Sequence, residues 1–174
     1  MRNLLYILIL CCLVACNAVR VDYDYDKVTD FSNYTTYNYF QDMQSGLSQL
    51  DEKRLLNVLD STLQAKGYLL SEEPEFLVNI KSGVFQSNSG SNVGVGVGGG
   101  GRNVGGGLSI GIPVGNSGLQ REIIFDFVDV GRNALFWQAN AQSGFRDNAA
   151  PIEREQQLRR VVAKVFSKYP PDLK

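Results

Sequence analysis

The chain has 174 residues, 44% hydrophobic and 20% charged, with a formal net charge of −1. That length suits one domain with a core of ordinary size, and the composition excludes a collagen-like, a multi-span membrane or a wholly disordered chain. No histidine is present, which removes His-based triads, His-ligated zinc or haem, and an imidazole pH switch. The near-neutral charge argues against nucleic-acid binding, which needs a surplus of Lys and Arg facing phosphates.

Met1-Arg2-Asn3 is a short basic start, followed by an apolar run from Leu4 to Ala15. The run is shorter than the roughly 20 residues a membrane-spanning helix needs, so it reads as a secretory signal peptide over residues 1–15. It ends in Leu13-Val14-Ala15-Cys16, which resembles the bacterial lipobox. That resemblance implies cleavage before Cys16 and a diacylglycerol on its sulfur, with residues 16–18 as the lipidated N-terminus. Cys11, Cys12 and Cys16 are the only cysteines. The mature chain is therefore expected to have no free thiol for disulfides, metals or catalysis.

Residues 19–174 read as a single α+β domain. Val19, Val21, Tyr23 and Tyr25 alternate with Arg20, Asp22, Asp24 and Asp26, predicting a half-buried strand with an acidic outer face. A second strand is expected over Tyr34–Phe40, rich in β-formers. A helix follows from Ser48 to Lys66: Ser48 can cap it, Asp51 and Glu52 favour its positive end, and Gly67 stops it. Phe76, Val78 and Ile80 alternate in a further strand, with a parallel βαβ crossover to the preceding one expected across the helix. Ile123, Phe125 and Phe127 mark the next strand. After the turn at Gly131-Arg132-Asn133, Leu135, Trp137, Ala139 and Ala141 mark its hairpin partner. Pro151 opens a last helix with the stripe Leu158, Val161, Val162, Val165, Phe166 and Tyr169, ended by Pro170 and Pro171. The expected architecture is a mixed, mostly antiparallel sheet with two helices on one face, in β-β-α-β-β-β-α order.

Three stretches resemble one family. Asp30-Phe31-Ser32-Asn33-Tyr34-Thr35-Thr36-Tyr37, Lys66-Gly67-Tyr68 with Phe76-Leu77-Val78, and the ending Phe166-Ser167-Lys168-Tyr169-Pro170-Pro171 are similar to segments of the lipoprotein family named domain of unknown function 4136. The resemblance spans residues 19–171, with Glu75 standing where the family pattern has aspartate. It implies a lipid-anchored envelope domain of mixed α/β topology, and brings no substrate or catalytic residue with it.

Residues 87–118 form a glycine-rich insertion of Gly, Ser, Asn and Val with Arg102 as its one charge. Gly94-Val95-Gly96-Val97-Gly98-Gly99 satisfies G-x-G-x-x-G, but more glycine and then Pro113 follow, instead of the helix a dinucleotide site needs. Composition alone reads as a long flexible hairpin loop. The alternation of Val93, Val95 and Val97, and of Leu108, Ile110 and Ile112, reads instead as an apolar hairpin arm suited to a partner, a bilayer or a second copy.

Asp22, Asp24 and Asp26 have the spacing that begins a calcium loop, but Lys27 replaces the required Gly and Asn33 the bidentate Glu. They read as a solvated acidic edge. Asp126 and Asp129 fall on opposite faces of their strand and do not form an obvious glycosidase pair. Glu153, Arg154, Glu155, Arg159 and Arg160 read as salt pairs on the last helix. The clustered tyrosines read as sheet packing with hydroxyls at the rim.

The sequence thus predicts a non-catalytic, lipid-anchored protein of the bacterial cell envelope, held to a membrane through Cys16, with an envelope protein as partner. It predicts no cofactor, no metal and no nucleic acid. The alternatives are a carboxylate-based hydrolase acting on glycan, and a small-ligand binding lipoprotein.

Overall fold

A computed structural model describes residues 18–86 and 118–171. Its one sheet has six strands: β1 (Arg20–Tyr25), β2 (Thr36–Tyr39), β3 (Leu69–Leu70), β4 (Phe76–Gln86), β5 (Leu119–Asp129) and β6 (Ala134–Gly144). Two helices accompany it, α1 (Gln49–Ala65) and α2 (Pro151–Val165). The strands lie in the order β1-β6-β5-β4-β2-β3. β1, β6, β5 and β4 pair antiparallel, whereas β2 pairs parallel with both β4 and β3. The α+β architecture is the expected one, including the parallel crossover from β2 through α1 to β4.

Local chemistry explains the boundaries. Ser48 caps α1 by accepting the Asp51 N–H, a contact that contributes about 1 kcal/mol. Gly67 ends the helix region at φ +93°, the left-handed region that favours glycine. Before β2, Asp30 accepts hydrogen bonds from the backbone N–H and hydroxyl of Ser32, which holds Phe31–Asn33 in a 3-10 turn. The expected Tyr34–Phe40 strand therefore shrinks to Thr36–Tyr39. The two-residue β3 was not visible as a pattern, because Leu69 and Leu70 are both exposed.

The core sits between the sheet and the helices. Leu55, Val58, Leu59 and Leu63 of α1 join Leu158, Val161, Val162 and Val165 of α2 over the inward residues of β4, β5 and β6. Asn79, Lys81, Asp126, Gln138 and Asn140 occupy the alternate positions, as the period of a strand requires.

One expected register is corrected. The pairing of β5 with β6 shifts between Phe127 and Val128: Phe127 faces Trp137, but Val128 faces Leu135. Phe136 is the extra residue of this bulge. Both Phe136 and Trp137 are consequently buried, while Leu135, assigned inward by simple alternation, is 50% exposed. The last helix is also shorter than its apolar stripe. It passes into a 3-10 turn at Phe166–Lys168, which still delivers Phe166 and Tyr169 to the core.

Candidate functional site

The two ends of β5 carry different polar clusters. At its C-terminal end the family-like segments contact one another. The Tyr34 hydroxyl donates to Asp129 Oδ2 at 2.6 Å, and Arg132 Nη2 donates to the Tyr34 oxygen at 2.9 Å. Glu75 Oε2 accepts from the backbone N–H groups of Thr35 and Thr36. Lys66 Nζ donates to the Tyr169 carbonyl at 2.8 Å, and the Phe31 and Tyr169 rings meet edge to face at 6.0 Å. These motifs form the seam between the sheet and the 3-10 turn Phe166–Lys168. Their chemistry is accounted for by folding.

At the other end of β5, α1 and α2 bring their first turns against the strand. Asp51, three residues into α1 from its cap, is fully buried. Its carboxylate takes Arg54 Nη1 at 2.8 Å, Arg154 Nη1 at 3.0 Å and Arg121 Nη1 at 3.3 Å. A buried carboxylate needs such partners, because desolvation of an unpaired charge is prohibitive. Burial alone would raise the Asp51 pKa, but the Arg154 and Arg121 guanidiniums outweigh it and hold the group below the ordinary carboxylate range.

Arg154 also donates its Nε to the Ala149 carbonyl and its Nη2 to the Asp147 carbonyl. It therefore ties α2 to α1 and to the loop that precedes α2, and is not one of the surface salt pairs the sequence suggested. The Arg159–Glu155 pair, at 2.7 Å, does follow that expectation. Arg121 stands at an inward position of β5, with its guanidinium carbon 3.9 Å from the centre of the Phe145 ring. Burial lowers its proton affinity, and Asp51 partly restores it.

Between these residues lies a cleft of about 600 Å³. Arg121, Arg146, Arg154 and Arg160 line it against Glu153, over Ile123, Leu158 and Val161. Glu153 is already engaged by the Ala150 N–H and by Arg146. This is the candidate site, suited to holding an anion. The sequence did hold a signal for it: extending the β5 alternation from Phe127, Phe125 and Ile123 places a charged Arg121 on the apolar face.

The expected lipidation residue Cys16, and the expected arm residues Val93, Val95, Val97, Leu108, Ile110 and Ile112, lie outside the described residues. The roots of the glycine-rich segment are described: β4 and β5 stay paired to Gln86 and Leu119. Val84, Phe85 and Leu119 are exposed there, and Gly118 borders the arginine cleft. Asp22 and Asp24 lie on the exposed side of β1, whereas Asp26, just past the strand, accepts from Thr29. Asp126 meets Lys81 and Gln138, away from Asp129 and Tyr34. Among the described residues no group of three or more His, Cys, Asp or Glu is placed to hold a metal ion.

No curated protein matches the sequence. Among solved structures, a PDZ domain protein from Parabacteroides distasonis is similar at 14% identity and a TM-score of 0.58, over 88% of this chain. This chain spans only 36% of that protein's length, and the likeness is one of fold. Two crystal forms of the PelC dodecamer from Paraburkholderia phytofirmans are similar at 11% identity, over 86% of this chain and 95% and 96% of theirs, with TM-scores of 0.48 and 0.49. The decisive match is to a family, over residues 21–171: the chain belongs to the family described as domain of unknown function DUF4136.

Proposed function

We propose that this chain is a lipid-anchored protein of the bacterial cell envelope that acts by binding, as a non-catalytic partner or assembly accessory of another envelope protein. The anchor rests on the Leu13–Cys16 lipobox. The binding role rests on one observation: where the described part of the β4–β5 ladder reaches Gln86 and Leu119, apolar side chains are exposed. Val84 and Leu119 are exposed on one face of the ladder and Phe85 on the other, and the nearly uncharged glycine-rich segment lies between them in sequence. Exposed apolar surface joined to uncharged chain favours contact with another protein over solvent. The carboxylates whose proton affinity is displaced, Asp30, Asp51, Glu75 and Asp129, are all displaced downward. They are held as anions, which supports binding over general-acid chemistry.

The test is a photo-reactive residue at position 85 in intact cells, with position 61 on the exposed side of α1 as control. One dominant crosslinked envelope protein from position 85, lost on deleting residues 88–117 and reduced by Cys16→Ala, is expected. Equal yields from both positions, or an unchanged product after the deletion, overturn the reading.

A further inference from the structure

Among the described residues, two donors on side chains of the arginine cleft have no acceptor. Arg121 Nε and Gln157 Nε2 are buried and unpartnered, and both residues line the same cleft. Leaving a buried donor unsatisfied carries the full cost of removing it from water, so such groups point to a missing partner. The rest of the cleft fixes them in place. Phe145 lies under the Arg121 guanidinium, and Asp51 holds its Nη1, which leaves the Nε edge free. Arg160 donates to Gln157 Oε1 at 2.5 Å, which turns the Nε2 end of that amide away from the arginine.

The charge around these donors is one-sided. Four arginines and one glutamate line the cleft, in a chain whose net charge is −1. Asp51 and Glu153 are both already committed to cations or backbone. The volume falls within the range of small-molecule sites, and the buried Ile123, Leu158 and Val161 lie beneath it.

We propose that this cleft binds a small molecule carrying an oxyanion, a carboxylate or phosphate, whose oxygens accept from Arg121 Nε and Gln157 Nε2 once a small turn of the two side chains opens these closed atoms to the cleft, while its apolar part packs above Ile123, Leu158 and Val161. An oxyanion is the matching chemistry because both free groups are donors and the surrounding charge is positive. The cleft adjoins the exposed apolar residues through the Val84–Arg121 pair and Gly118, but its donors face a different ligand chemistry, and either assignment can fail alone.

The test is NMR titration of the ¹⁵N-labelled full chain in detergent with hexanoate, inorganic phosphate, hexyl phosphate and the neutral 1-hexanol. Saturable shifts of the Arg121 Nε–H and Gln157 side-chain amide signals by the anions, and none by hexanol, are expected. Tighter binding of hexanoate than of phosphate assigns an apolar carboxylate, and tightest binding of hexyl phosphate a phosphorylated ligand. Arg121→Lys keeps a charge beside Asp51 but removes Nε. Gln157→Leu removes the other donor at a half-buried position, so the test stands even where the Arg121 variant fails to fold. Each is expected to weaken anion binding about tenfold, the effect of losing one charge-assisted hydrogen bond. Absent saturation, equal response to hexanol, or full affinity in folded Gln157→Leu overturns the proposal. So does anion binding that appears only after deletion of residues 88–117, which would assign the donors to the chain's own glycine-rich segment.

Discussion

The Tyr34 hydroxyl reaches Asp129 across 95 positions of sequence, in a 2.6 Å hydrogen bond that ties the turn before β2 to the end of β5. Arg132 completes the contact, donating its backbone N–H and Nε to Asp129 and its Nη2 to Tyr34. Burial alone would raise the Asp129 pKa, but the Tyr34 hydroxyl and the Arg132 donors lower it below the ordinary range. Tyr34→Phe keeps the ring, which stacks on Phe136 at 4.2 Å, and removes only the hydroxyl. The expected results are a loss of about 1–2 kcal/mol in urea unfolding and an upward move of the Asp129 carboxyl titration by ¹³C NMR. An unmoved titration would mean that Arg132 alone holds the carboxylate.

The bulge at Phe136 makes a prediction that simple alternation reverses. Phe136 is buried against Phe31, Tyr34, Phe76 and Phe127, whereas Leu135 is half exposed. Phe136→Ala is therefore expected to cost about 3–5 kcal/mol, from lost transfer energy plus the cavity left behind. Leu135→Ala should stay within about 0.5 kcal/mol of the parent. Thermal unfolding of the two variants checks this, and a larger effect at Leu135 would restore the unbulged register.

These residues show where sequence reading succeeds and where it stops. Periods of two and 3.6 located both helices and the longer strands, because burial of one face writes itself into local spacing. The bulge escaped because an inserted residue changes the phase without changing the composition, and Leu135 is as apolar as Phe136. β3 escaped because two exposed leucines carry no period. Asp51 was legible as a helix-start carboxylate, yet its arginine partners come from α1, β5 and α2. Only the tertiary fold brings Arg121 and Arg154 to it. The same limit applied to the family-like segments, which read as separate motifs and turn out to contact one another at one end of the sheet.

Gly46 tests a close approach of two backbones. It sits at φ +70°, and a Cβ there would lie 2.6 Å from the Ser82 carbonyl oxygen. The neighbouring Ser45 carbonyl accepts the Ser82 N–H at 2.7 Å, so the two segments cannot simply separate. Gly46→Ala is expected to destabilise by about 2 kcal/mol or more, combining left-handed strain with the clash. Gly83→Ala, one residue beyond Ser82, meets nothing within 4 Å and should be close to neutral. Chemical denaturation of the pair separates the steric cause from a general intolerance of β4.

Asp51 contributes to the acid sensitivity of the fold. Its folded pKa lies below the ordinary 3.8, so its contribution is fully present above that value and is lost as pH falls through the folded pKa. Stability should thus hold steady from neutral pH to about 4 and then fall, as protonation leaves Arg121 and Arg154 without their shared anion. Asp51→Asn makes the same change at every pH. It is expected to cost about 3 kcal/mol at pH 7, typical of removing one partner from a buried ion cluster. The difference between variant and parent should shrink as pH falls below 3.8 and through the lowered folded pKa, where the parent's group also becomes neutral. Urea unfolding of both proteins across this range is the check. A difference that stays constant with pH would show that the cost comes from packing, with no contribution from charge.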